Sequence, residues 1–160
     1  MKKIRLSYIL IALLVVAVIG VGSLKMGGTK EVSDLKMFVD RAASLVEQEG
    51  SAAFAEFRDK NGQWIKGDRY IFVYDMTGKT LVLPLQPAVE GTDRYTVADP
   101  NGERYVETMV DVLNLKKYGW NTYVYVRPET GKPTEKLSYF KRAVYQGQEY
   151  IVGSGIYLEN

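Results

Sequence analysis

Cysteine and histidine are both absent from this sequence. Without cysteine there is no disulfide, no thiolate nucleophile and no Cys-based zinc site. Without histidine there is no Ser-His-Asp triad, no imidazole general base and no HExxH motif. A metal would have to be a hard cation held by oxygen ligands alone. No P-loop or dinucleotide-binding motif is present, and no two acids fall convincingly into one pocket. The expectation is therefore a protein that is not an enzyme and carries no cofactor. What the chain does hold is apolar and aromatic bulk: 12 Tyr and 46% hydrophobic residues over 160 positions. That is a globular composition, with length for one domain and an appendage.

Charge is unevenly placed. Lys2, Lys3 and Arg5 precede an uncharged run of 17 residues from Tyr8 to Leu24, about 26 Å long as a helix. A basic start followed by such a run fits either a secretory signal or a short membrane anchor. Gly20, Gly22 and Ser23 are small enough for a signal peptidase, although the AxA-like site is imperfect, and no Cys follows to carry a lipid anchor. Both alternatives export the rest of the chain. The expected organisation is thus a signal or anchor over 1–26 and one domain over 27–160. Taking those three basic residues from the 21 Lys+Arg leaves 18 against 19 Asp+Glu, a net of −1. A near-neutral domain with no basic cluster excludes nucleic acid as a partner.

Beyond the junction Met26–Thr29, apolar residues Val32, Leu35, Phe38, Val39, Ala42, Leu45 and Val46 recur at helical spacing, with Gly50 as a stop. A short helix is expected over Ala52–Arg58. The period then changes to two. Arg69–Asp75 reads as a strand buried on both faces, Met76–Lys79 as a hairpin turn, and Thr80–Leu83 as the returning strand that Pro84 ends. Asp99-Pro100-Asn101-Gly102 closes a long irregular connection. Val106, Met109, Val110 and Leu113 then form the stripe of another helix. Strands Asn121–Arg127, Thr134–Ala143 and Glu149–Leu158 complete the chain. Short hairpin links demand antiparallel neighbours, so the fold class is α+β: a long N-terminal helix packed on a five-stranded antiparallel sheet, preceded by one membrane or signal helix. Asp75 and Asp99 stand in turn sequences, where Asp caps its own backbone. Gly153 and Gly155 suit close backbone packing rather than phosphate binding.

Seven runs, in this order, carry a resemblance: YIFVYDMTGK (Tyr70–Lys79), LPLQP (Leu83–Pro87), Asp99–Gly102, GWNTYVY (Gly119–Tyr125), Arg127-Pro128 with Gly131-Lys132, KLSY (Lys136–Tyr139) and VGSGIY (Val152–Tyr157). Together they resemble a single Cache domain of the second subtype, over roughly Val32 to Leu158. The resemblance implies a PAS-like extracytoplasmic sensory domain of chemoreceptors and sensor kinases, whose sheet cups a small ligand, often a short carboxylate. One departure is local: Leu83-Pro84 stands where the family commonly has His-Pro, which removes a polar contact. Family receptors also continue into a second membrane helix and a cytoplasmic output domain. Because the sequence stops at Asn160, a module with no output domain of its own is expected.

The candidate ligand contacts follow from strand alternation and from these motifs. Tyr123, Tyr125 and Arg127 alternate to one side of their strand and offer two phenols and a guanidinium to an anion. The resemblance adds Lys136 and Tyr139. Their odd spacing cannot point both inward from a flat strand, so a bulge is needed or one of them faces solvent. Tyr74 could close the pocket and Trp120 could wall it. The expected partners are a small carboxylate, the membrane through the N-terminal helix, and a partner receptor or a second copy. The alternative from another class is a membrane-tethered interaction module whose Tyr-rich face docks on a receptor without a small ligand.

Overall fold

The computed structural model describes residues 27–158. The apolar run at 8–24 and the boundary at residue 26 lie outside them. Helix α1 (Gly27–Glu49) passes through a 3₁₀ turn (Gly50–Ala53) into the short α2 (Phe54–Arg58). Strands β1 (Ile65–Lys66), β2 (Arg69–Tyr70), β3 (Phe72–Asp75) and β4 (Thr80–Val82) follow. A long connection with one 3₁₀ turn (Pro87–Val89) leads to α3 (Tyr105–Leu115) and to three long strands, β5 (Tyr118–Val126), β6 (Pro133–Tyr145) and β7 (Gln148–Tyr157). The main sheet is antiparallel with order β4-β3-β7-β6-β5. Five strands under a long N-terminal helix is the architecture read from the periodicity.

The expected strand Arg69–Asp75 is divided. Gly67, at a φ of +59°, turns the chain between Lys66 and Arg69, so β2 pairs with β1 in a separate two-stranded ribbon. Only β3, beyond Ile71, enters the main sheet. The ribbon matters because it carries Tyr70 and the turn residue Asp68 over the end of the sheet. Ser154 on β7 fixes it there by donating to the Tyr70 carbonyl at 2.7 Å.

Register assigns every side chain of the sheet to a face. Lys136 pairs with Tyr123 on one side and Tyr157 on the other. Ser138 pairs with Asn121 and Gly155, and Phe140 with Gly119 and Gly153. These residues, with Phe72 and Tyr74, form one face, covered by α3 and the connection before it. Tyr139, Lys141, Ala143, Tyr150 and Val152 form the opposite face, under α1. Leu35, Phe38, Val39, Ala42, Ala43 and Val46 are all buried there. Phe54 meets Tyr150 edge-on at 5.5 Å, and Tyr139 donates to Asp40 of α1 at 3.3 Å. A sheet buried on both faces explains why its strands read as continuous rather than alternating apolar runs.

Gly153 lets the aromatic layer lie flat on the sheet. A Cβ there would stand 2.4 Å from the Phe72 ring and 3.1 Å from Cβ of Phe140. Both neighbours are fully buried, so neither can swing into solvent. Gly153→Ala should therefore destabilise the fold by about 1–3 kcal/mol through overpacking, read as a lower urea midpoint. An unchanged midpoint would show that the layer is loose.

Candidate ligand-binding site

A charge lies buried in the α3-side face. Lys136 on β6 is 1% exposed. Its ammonium lies 4.4 Å from the ring centre of Tyr70, 5.0 Å from Tyr157, 5.4 Å from Tyr125 and 5.8 Å from Phe72. It donates to the Tyr70 hydroxyl at 3.1 Å, and among the described residues it has no ion-pair partner. An ammonium has three donors to place, so the cage leaves coordination unfilled. Burial pushes its pKa down to about 7, while the Asp68 carboxylate pulls it the other way. Cation–π contacts of up to about 2 kcal/mol each offset part of a desolvation cost of several kcal/mol.

Gly155 makes room for this lysine. A Cβ at that position would stand 2.5 Å from Cε of Lys136 and 2.6 Å from Oγ of Ser138. Tyr123, 5% exposed, shares a hydrogen bond with Ser138 at 3.0 Å and stacks on Tyr105 of α3 at 4.3 Å. Tyr125 stands edge-on to Tyr105 and donates to Oε1 of Gln86 at 2.8 Å. Burial holds the Tyr70, Tyr74 and Tyr123 phenols well above their usual pKa. They are therefore neutral hydrogen-bonding groups and bring no negative charge to the lysine.

Of the residues expected to bind, Tyr123, Tyr125 and Lys136 are brought together. Tyr74 lies on the same face within the buried aromatic cluster, 5.4 Å from Phe72. Arg127 sits just past β5. Its Nε donates to Asp68 at 2.5 Å, and its guanidinium lies over the outer side of Tyr157 at 5.8 Å. It closes the end of the cage as half of an ion pair. Trp120 and Tyr139 go to the opposite face, in contact with each other at 4.6 Å; Tyr139 is buried against α1 and Trp120 remains exposed. The odd step from Lys136 to Tyr139 thus needs no bulge, because β5, β6 and β7 keep unbroken register. Nor does Tyr139 face solvent: the second helical layer buries it to 1% exposure.

Tyr70, Phe72 and Tyr157 complete the cage and were not among the expected contacts. The signal for Tyr157 was its place in VGSGIY, and for Tyr70 its alternation with Phe72 and Tyr74. Asp75 and Asp99 do cap their own turns. Asp75 accepts from Thr77 and Lys79 backbone N–H groups, and Asp99 from those of Asn101 and Glu103. The second Asp99 oxygen accepts from Val124 N–H at 2.7 Å, tying the long connection to the outer edge of β5. Burial opposes the charge on Asp99, but these backbone donors hold its pKa below the usual carboxylate value.

Comparison with known proteins agrees with the fold. The family model for single Cache domain 2 matches residues 36–160. The chain belongs to that family. The Cache domain is 29% identical over 93 residues to the sensor histidine kinase MctS of Rhizobium johnstonii, a match covering 58% of this chain and 20% of that protein. It therefore spans about a fifth of that relative's length. Among solved structures, the periplasmic sensor domain of a chemotaxis protein superposes with a TM-score of 0.74 at 23% identity, covering 84% of this chain and all (100%) of that one. A Cache chemosensory domain studied for carboxylic acid recognition superposes with a TM-score of 0.68, also at 23% identity, covering 86% of this chain and 100% of that one. Cache domains of this family are sensory modules of receptors and are not themselves catalytic. Among the described residues of this one, no helix is long and apolar enough to cross a membrane.

The buried lysine of this Cache domain gives a testable pH dependence. The folded state releases the Lys136 proton at about pH 7, whereas the unfolded chain holds it to near the ordinary value of 10.5. The unfolded state therefore binds more protons in that window, and stability rises with pH across it. Between pH 7 and 9 the ligand-free wild type should gain about 1 kcal/mol per pH unit relative to Lys136→Met, measured by urea denaturation. Parallel curves for the two proteins would show that Lys136 is not desolvated.

Proposed function

We propose that this chain is an extracytoplasmic sensing module that binds a short organic acid through Lys136. The observation that carries the reading is a fully buried ammonium with no ion-pair partner among the described residues, ringed by four aromatic side chains. A carboxylate is the group that such a site lacks. It would accept the remaining lysine donors inside a ring of neutral aromatic side chains that bring no competing negative charge. The solved neighbour studied for carboxylic acid recognition supports the same chemistry. The apolar run from Tyr8 to Leu24, with its basic start, supports tethering at the membrane with the domain outside. Leu83, buried in one cluster with Tyr70 and Phe72, makes the adjoining wall apolar.

The test is a thermal-shift and calorimetric titration with acetate, propionate, pyruvate and malonate. Binding should stabilise wild type by about 2.7 kcal/mol at roughly 100 times Kd, and Lys136→Met should abolish the effect. The bound anion needs the ammonium form, so affinity should fall about tenfold per pH unit above pH 7. Absence of any shift across the panel, or equal binding by Lys136→Met, would contradict the reading.

A further inference from the structure

A second cationic group stands on the other side of Tyr125. Arg94 lies in the long connection, where backbone pairing to the β3–β4 turn holds it. Its N–H donates to the Gly78 carbonyl at 2.9 Å, and Lys79 bridges Asp93. Gly78 is needed for that approach, since a Cβ there would meet Tyr95 at 2.7 Å. Among the described residues, the half-buried Arg94 guanidinium makes one hydrogen bond, from Nη2 to the Tyr105 hydroxyl at 2.7 Å. It forms no ion pair among the described residues. A guanidinium carries five N–H donors in a planar fork, so most of its donors are uncommitted.

Arg94 lines a cleft of about 200 Å³ with Gln86, Tyr105 and Tyr125. Gln86 receives the Tyr125 hydroxyl on Oε1, which leaves its amide N–H₂ without a partner among the described residues. The cleft also contains Asp99, but that carboxylate is already occupied by the backbone N–H groups of Asn101, Glu103 and Val124. Tyr125 is common to both places. The face of its ring meets the Lys136 ammonium at 5.4 Å, and its hydroxyl end reaches Gln86 in the cleft.

We propose that this cleft is a second anion subsite built on Arg94, and that the ligand is a short dicarboxylate held by Lys136 at one end and Arg94 at the other. The inference rests on the reading of Lys136 as a carboxylate receptor. Two cations set on either side of one phenol select two acid groups joined by a few carbons, and the proposal requires Tyr125 to leave Gln86 when the ligand binds. A fork of uncommitted donors suits the second carboxylate, which it can grip bidentately.

The experiment compares malonate and succinate with acetate and propionate on the purified 160-residue chain by calorimetry. The expected result is that the dicarboxylates bind at least tenfold more tightly. Arg94→Gln should collapse that ratio toward one. Arg94→Lys keeps the charge without the fork and should retain an intermediate ratio, which separates a binding role from damage to the fold. An unchanged ratio in Arg94→Gln, or a preference for acetate in wild type, overturns the second subsite. If acetate binds in a Lys136-dependent way under those results, the first reading stands alone. If no carboxylate of either class binds, both fall.

Discussion

A buried ammonium with no ion-pair partner among the described residues is the constraint on which this molecule turns. Desolvating such a charge costs several kcal/mol, and four rings and one phenol offset only part of that. A fold optimised for stability alone would place Met or Leu at position 136. Keeping lysine there means that the ligand-free protein holds an unfilled requirement for negative charge. On the proposed reading, that requirement makes the site responsive, because an arriving carboxylate would stabilise both the ammonium and the layer around it. Free energy available in this way can shift a conformational equilibrium in a receptor, which is the task of a sensory domain.

The surroundings of Lys136 follow from how the sheet is built. Long strands β5, β6 and β7 keep strict register, so Tyr123, Lys136 and Tyr157 stand in one row. Gly155 and Gly153 in the neighbouring rows provide the depth into which the lysine stem and the Phe72 ring settle. The β1–β2 ribbon closes the end of the row with Tyr70, and its turn residue Asp68 holds Arg127. That pairing commits Asp68 to a guanidinium, and the lysine has no ion-pair partner among the described residues. Local turn geometry at Gly67 thus decides the electrostatics of a site formed mainly by strands far along the chain.

Much of this was legible in the sequence, and the part that was not has a definite cause. The α1 stripe, the Met76–Lys79 hairpin, the α3 stripe and the Asp75 and Asp99 caps are all local features, and each appeared where spacing put it. Strand parity placed Tyr123 and Tyr125 on one face, and the KLSY motif pointed to Lys136. Parity also separates Trp120 from Tyr123 and Tyr125, and Tyr139 from Lys136, yet both were named beside them; the register puts Trp120 and Tyr139 on the other face, where Tyr139 reaches Asp40 of α1. The pairing of Arg127 with Asp68 spans 59 positions, and no local pattern announces it. The break at Ile71 was hidden because residues on both sides of it are apolar or aromatic. Arg94 sat in a stretch with no periodicity, so only the folded connection shows what it lines.

The central claim is that Lys136 is a desolvated cation waiting for an anion, and its own titration tests this most directly. Selective ¹³Cε labelling of lysine would allow the Lys136 resonance, identified by its loss in Lys136→Met, to be followed with pH. The account predicts titration near pH 7 in the ligand-free protein and a marked upward shift when a carboxylate is bound. An ordinary lysine titration near 10.5 without ligand, or a midpoint that ignores every carboxylate offered, would contradict it.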